Sequence, residues 1–337
     1  MKPFRFGIAI AATEPPEVFI RTVQLAEELG FDSIWIPDFR LYLDLYVSLA
    51  LAALNTTRVR LGSAVTNPYT RHPGMTAVGI ASVDALSGGR AVLGLGTGGI
   101  VLRLLQIERR LPVLACRNAV EEIRRYFGSN APHRTGQRET SEKHVRLDLP
   151  IRADLPIFIG ATGRQMLALA GEITDGVIVN VGAHQLCVEN ALAAVERGAR
   201  RVNRPLESLE KLCWLQGSAV SDDGAEAMSV VKPAVALTLG RLPAYVLEAM
   251  EMDVQEIREI HEVYHTAGAH AAAGLVSDQM VKQFTITGTP QRAIRELKRL
   301  HSQGFDEFIF LVEEVGGNVR SAMQTLAEKV MDKLKVN

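Results

Sequence analysis

Short apolar runs rich in β-branched and aromatic residues alternate along the chain with longer segments whose apolar positions recur at helical spacing. The first run, residues 4–10, is almost continuously apolar, as a strand buried on both faces must be. A helix is expected from Pro15-Pro16 to Gly30, with Val18, Ile20, Val23, Leu25 and Leu29 as its apolar positions. Proline suits a first turn and glycine an exit. Residues 33–36 predict a second strand, residues 42–54 a helix and residues 58–65 a third strand. The pattern repeats with a helix at 75–86, a strand at 91–95, a helix at 118–127 and a strand at 156–160. It closes with helix 166–171, strand 175–180, helix 186–203, strand 212–220, helix 290–303 and strand 307–312.

Eight strands separated by helices predict an α/β fold of the (β/α)₈ TIM barrel class. An open doubly wound sheet would also alternate. It would more often carry a glycine-rich turn after its first strand, and Ile10-Ala11-Ala12-Thr13-Glu14 is not one. One domain spanning 1–337 is expected, with insertion segments after strands 4 and 7 at about 97–154 and 241–289. Insertions at these places lie over the active face of such a barrel.

Composition narrows the function classes. Hydrophobic residues make up 47% and charged residues 22% of the 337, a globular balance. Lys+Arg number 37 against 38 Asp+Glu, for a net charge of -1, so no basic field exists to hold nucleic acid or an anionic membrane. No apolar run approaches the roughly 18 residues of a membrane span, and no leader pattern begins the chain. Cys116, Cys187 and Cys213 are far apart and odd in number, which points to reduced thiols and a cytoplasmic location.

Chemistry in a parallel barrel belongs at the carboxyl ends of the strands. Those ends offer Asp38, then Ala64-Val65-Thr66-Asn67-Pro68, then Gly94 to Gly99 with Thr97, then Gly160-Ala161-Thr162-Gly163, and Asn180. Asp38 can be a base, a hydrogen-bond acceptor or a cap. Gly160 to Gly163 opens a helix whose first amides and dipole favour an anion, with Arg164 to add charge; a tight turn capped by Thr162 is the alternative. Four glycines between Gly94 and Gly99 suggest a flat ligand packed close to backbone. Arg71 and His72 can bind substrate or pair with neighbouring carboxylates, and the structural use is the expectation. His261 and His265 share a helix face, but no carboxylate-supported ligand pattern accompanies them and no metal is expected.

The words Ala64-Val65-Thr66-Asn67-Pro68-Tyr69-Thr70-Arg71-His72-Pro73 and Leu86-Ser87-Gly88-Gly89-Arg90-Ala91-Val92-Leu93-Gly94-Leu95-Gly96 resemble the bacterial luciferase-like superfamily. They are closest to its coenzyme F420-dependent methylenetetrahydromethanopterin reductase-like branch. Pro156 to Val177, Gly274-Leu275-Val276-Ser277 and Phe284 to Pro290 are similar to the same branch. The resemblance implies a barrel oxidoreductase that moves a hydride between coenzyme F420 and a small-molecule substrate. FMN-dependent monooxygenase chemistry and a non-catalytic binding barrel are the alternatives. By position it implies Asp38 as catalytic residue, and Ala64, Val65, Thr66, Asn67, Thr97, Gly160, Ala161, Thr162, Gly163 and Asn180 around the cofactor. It also implies a cis peptide at Ala64-Val65 and a homodimer joined through the helices after strands two and three. Two carboxylates of that branch are replaced here, by Ala9 and Gly99.

Overall fold

The structure is a computed structural model, and it describes residues 2–38, 43–128, 152–240, 253–313 and 318–335, with residues 242, 247 and 315 besides. Eight strands close a barrel in chain order, every neighbour parallel and β8 paired to β1. They are β1 (Phe6–Ala9), β2 (Ser33–Ile36), β3 (Arg60–Ser63), β4 (Ala91–Leu95), β5 (Ile157–Ala161), β6 (Gly176–Val179), β7 (Glu210–Ser218) and β8 (Glu307–Val312). The outer helices after the first three strands are α1 (Pro16–Glu28), α2 (Leu45–Asn55) and α3 (Pro73–Ser87). After β4 come α4 (Ile100–Leu104) and α5 (Pro112–Tyr126), after β5 α6 (Arg164–Ile173), and after β6 α7 (Gln185–Arg201). The long β7–β8 connection carries α8 (Ala225–Val230), α9 (Lys232–Leu239), α10 (Val254–Ala267), α11 (Ala269–Ala272) and α12 (Asp278–Phe284), then α13 (Pro290–Ser302).

Strand alternation sorts the core into two layers. Inward positions such as Ala9, Trp35, Val92, Phe158, Leu212 and Ile309 pack together inside the barrel. Outward positions join the helices in one larger core. The inner layer is set by one large ring and the glycines around it. A Cβ on Gly62 would stand 2.3 Å from the Trp35 ring, and one on Gly176 would stand 2.6 Å from Phe158.

The amino-terminal end of the barrel is closed by ions. Glu307, fully buried, accepts hydrogen bonds from Ser33 Oγ at 2.5 Å, Trp35 Nε1 at 3.1 Å and the Arg60 guanidinium. Arg60 also binds Glu210 through both terminal nitrogens, and Arg5 reaches Glu210 at 2.6 Å. Burial alone would lower the Arg60 pKa, but Glu307 and Glu210 outweigh it and hold the group charged.

The predicted alternation and barrel match the observed one, and the differences are local. β3 stops at Ser63, and the Ala64-Val65 peptide that follows is cis, as the resemblance implied. β7 runs from Glu210 to Ser218 rather than to 220, with a bulge at Gly217 (φ +65). Val220 makes an isolated bridge to Gly288 instead. The helical elements of the second insertion begin at Ala225, earlier than 241, because α8 and α9 pack back on the barrel. Most of the polar stretch 128–154 and of 241–252 lies outside the described residues. Among the described residues no helix is long and apolar enough to cross a membrane.

Candidate functional site

The carboxyl end of the barrel is organised around Val65. Its side chain occupies space that only glycine leaves free: Cβ atoms on Gly96 and Gly160 would stand 2.5 Å and 2.7 Å from its methyl groups. One on Gly94 would stand 2.0 Å from the Ser63 carbonyl oxygen. Gly94, Gly96 and Gly160 therefore make room for Ser63 and Val65. Gly98 (φ +71) is a turn position closed by Leu102 and Asn67. Gly99 faces open space, since nothing lies within 4 Å of its ideal Cβ.

Beyond the cis peptide the chain rejoins the sheet. Thr66 bridges Leu95, donating its amide to Gly94 O at 3.0 Å and accepting from Gly96 N at 2.7 Å. This anchoring aims the Thr66 hydroxyl at Asp38, which accepts it at 2.7 Å. Burial raises the Asp38 pKa; the Thr66 bond pulls it back, nearby Asp44 adds to the rise and Arg71 opposes it. A carboxyl tuned this way at a barrel mouth can exchange a proton nearer neutral pH.

Asn67 is fully buried. Its Oδ1 accepts from the amides of Tyr69 and Thr70, both at 3.0 Å, which turns the chain toward α3. Among the described residues its Nδ2 has no hydrogen-bond partner. A buried donor without an acceptor costs about 1–3 kcal/mol, so a ligand acceptor is its natural complement. Thr97 is half-buried and accepts from Arg109 at a long 3.4 Å.

A second group forms across β5 and β6. Asn180 donates its amide to Ala161 O at 3.0 Å, and its carbonyl accepts the Thr162 hydroxyl at 3.0 Å. Thr162 is thus committed to the residue after β6 and does not cap α6, although the two-residue β5–α6 connection is a tight turn. Gly163 stands at the α6 N-cap with no side-chain bond to the first amides and nothing within 4 Å of its ideal Cβ. An open, uncapped helix start followed by Arg164 suits an anionic group. The two groups meet where Val65 packs on Gly160.

Three residues escaped the sequence reading. His184, at the start of α7, stacks on Phe284 with ring centroids 5.5 Å apart and leaves a buried Nδ1 unpartnered. Burial lowers its pKa and Arg299 lowers it further. Gln216 holds the buried Trp214 ring nitrogen at 3.1 Å. Glu313 continues the inward phase of Glu307, Ile309 and Leu311, and its amide reaches Ser218 O at 3.1 Å. Counting alternation one residue past β8 would have found it.

Other candidates play structural parts. Arg71 pairs with Asp44 at 2.7 Å and lies over the Tyr46 ring, and His72 caps α3 through Gly74 N. All three cysteines are buried, and burial pushes their thiols up to about 12, too high for a nucleophile.

Residues 1–307 match the family described as luciferase-like monooxygenase. The 5,10-methylenetetrahydromethanopterin reductase of Methanolobus tindarius is 30% identical over 97% of this chain and 99% of its own length. The F420-dependent glucose-6-phosphate dehydrogenase of Nakamurella multipartita is 27% identical over 99% of this chain and 97% of its own. Among solved structures, the coenzyme F420-dependent tetrahydromethanopterin reductase of Methanopyrus kandleri superposes with a TM-score of 0.83. That chain is 28% identical, with 99% of this chain and 100% of that one covered.

Proposed function

The chain belongs to the luciferase-like monooxygenase family, and on that premise we propose that it is a coenzyme F420-dependent oxidoreductase acting on a small organic substrate. The observation that carries this reading is the end-to-end match to F420-dependent reductases. The residues present fit such a group: the buried Asn67 Nδ2 donor has no acceptor among the described residues, and the uncapped α6 start at Gly163 has room for an anion.

In this reading Ala64 and Val65 back the cofactor ring, with Thr66, Asn67 and Thr97 at its polar edge. Gly160, Ala161, Thr162 and Gly163, held by Asn180, receive its phosphate. When bound, the deazaflavin supplies or accepts a hydride; it is the cofactor that carries this chemistry. Asp38 moves the accompanying proton, its carboxyl kept available by burial and oriented by Thr66. The described parts of the two insertions, 97–128 and 253–289, supply the substrate walls of one catalytic unit. With Ala9 and Gly99 in place of two carboxylates, proton handling falls to Asp38, and a substrate other than a pterin fits this mouth.

Fluorescence titration of the purified protein with oxidised F420 and with FMN tests the assignment. Tight F420 binding with FMN at least about tenfold weaker is expected. Preference for FMN would favour monooxygenase chemistry, and binding of neither would overturn the enzyme reading.

We further infer that α2 and α3 join two copies of the chain. Both are apolar on nearly all faces, and Val47, Leu54 and Met75 are 49%, 66% and 56% exposed. Sedimentation equilibrium should give twice the chain mass. The three buried thiols, none in a disulfide, suit a reducing cytoplasm.

A further inference from the structure

We propose that His261 and His265 form a chelating site for a borderline divalent transition-metal ion (Zn²⁺, Ni²⁺ or Cu²⁺) on the exposed face of α10. The two residues are one turn apart on this 14-residue helix, and both rings are exposed. Their Nε2 atoms face each other at 3.1 Å, with ring centroids 4.3 Å apart and planes at 75°.

The separation is what decides the matter. An imidazole nitrogen binds such a metal at about 2.0–2.1 Å, so two of them subtending roughly 90–110° at the ion stand roughly 2.9–3.4 Å apart. The observed 3.1 Å falls inside that window. Without metal, one ring must donate its Nε2 proton to the other. Binding needs the donating ring to change tautomer, its proton moving from Nε2 to Nδ1, so that both neutral rings offer an Nε2 lone pair to the ion. The helix already fixes both side chains on one face, so little ordering remains to be done on binding.

Among the described residues no group of three or more His, Cys, Asp or Glu converges, so water fills the remaining coordination positions. The cysteines are buried and do not compete. On the inner side of the same turn Tyr264 occupies the space above Gly240, where a Cβ would stand 2.5 Å from its ring. A metal clip over residues 261–265 therefore tightens the turn that docks α10 on α9.

Calorimetric titration of the full-length, untagged, EDTA-stripped chain with zinc chloride tests this directly. The wild type should take up a saturable equivalent of zinc that His261→Ala and His265→Ala each weaken at least tenfold, while His270→Ala leaves it unchanged. Absence of saturable uptake, or both variants within twofold of wild type, overturns the proposal. With Cu²⁺, the electron paramagnetic resonance spectrum should show coupling to two imidazole nitrogens in the wild type and one in either variant. An identical spectrum in all three proteins would overturn it as well. Both residues are exposed, so circular dichroism of the variants should match the wild type.

Discussion

At the amino-terminal end of the barrel the buried Glu307 accepts from Ser33, Trp35 and Arg60; at the carboxyl end the equally buried Asn67 leaves its Nδ2 unpartnered. The lower end pairs its charges with one another, Arg5 and Arg60 against Glu210 and Glu307. The upper end keeps a carboxyl with a raised pKa, an orphan amide donor and an open helix start at Gly163. Both ends contain buried polar groups, so burial of polarity alone does not mark a site. What marks it is polarity that the protein itself does not satisfy.

The largest expected break of this contrast is Glu307→Ala. It strands Arg60 without one of its two carboxylates at a buried position and should cost about 3–5 kcal/mol in denaturant unfolding. Cofactor affinity of the folded fraction should stay as in the wild type. A loss below about 1 kcal/mol would mean that the lower network is not closed as described.

Asp38→Asn should act oppositely, lowering turnover about a hundredfold or more with little loss of stability. Its pH signature follows from the raised pKa. Between 3.8, the ordinary value, and the raised one, the folded chain holds a proton that the unfolded chain has lost. That stabilisation is complete below about 3.8 and disappears as pH rises through the raised value, so the wild type should lose stability relative to Asp38→Asn over this window. Parallel unfolding midpoints for the two proteins at all pH values would contradict the burial of Asp38.

Gly163→Asp adds a carboxylate where the Cβ itself meets nothing within 4 Å. Folding should be unaffected while cofactor affinity falls at least about tenfold, by charge repulsion at the α6 start. Unchanged affinity would remove the anion from this turn. Asn67→Ser is the mildest probe, because a serine oxygen can still accept from the turn amides while the Nδ2 donor is lost and no charge is buried. Affinity should drop several-fold, in the range of one hydrogen bond of about 1 kcal/mol. An increase in affinity would show that Nδ2 does not face the ligand.

Much of the barrel is legible along the chain because periodicity is local. Residues 33–36 and 91–95 have matching bounds in the structure, since both faces of these strands are buried and their apolar runs end where burial ends. Asp38, Thr66 and Gly160 to Gly163 could be named as strand-end residues by the same counting. Their relations could not. That Thr66 serves Asp38, that Thr162 serves Asn180 rather than α6, and that Gly94, Gly96 and Gly160 make room for Ser63 and Val65 all depend on how neighbouring strands are staggered when the barrel closes. Glu313 was missed because the alternation of β8 was not counted past its end, and His184 because a helix N-cap carries no periodic signal of its own. The sequence by itself determined which segments are strands and which ends face the mouth, because each segment's pattern reports its own burial. Only the tertiary structure decided which polar atoms are paired, because that depends on distances between segments far apart in the chain.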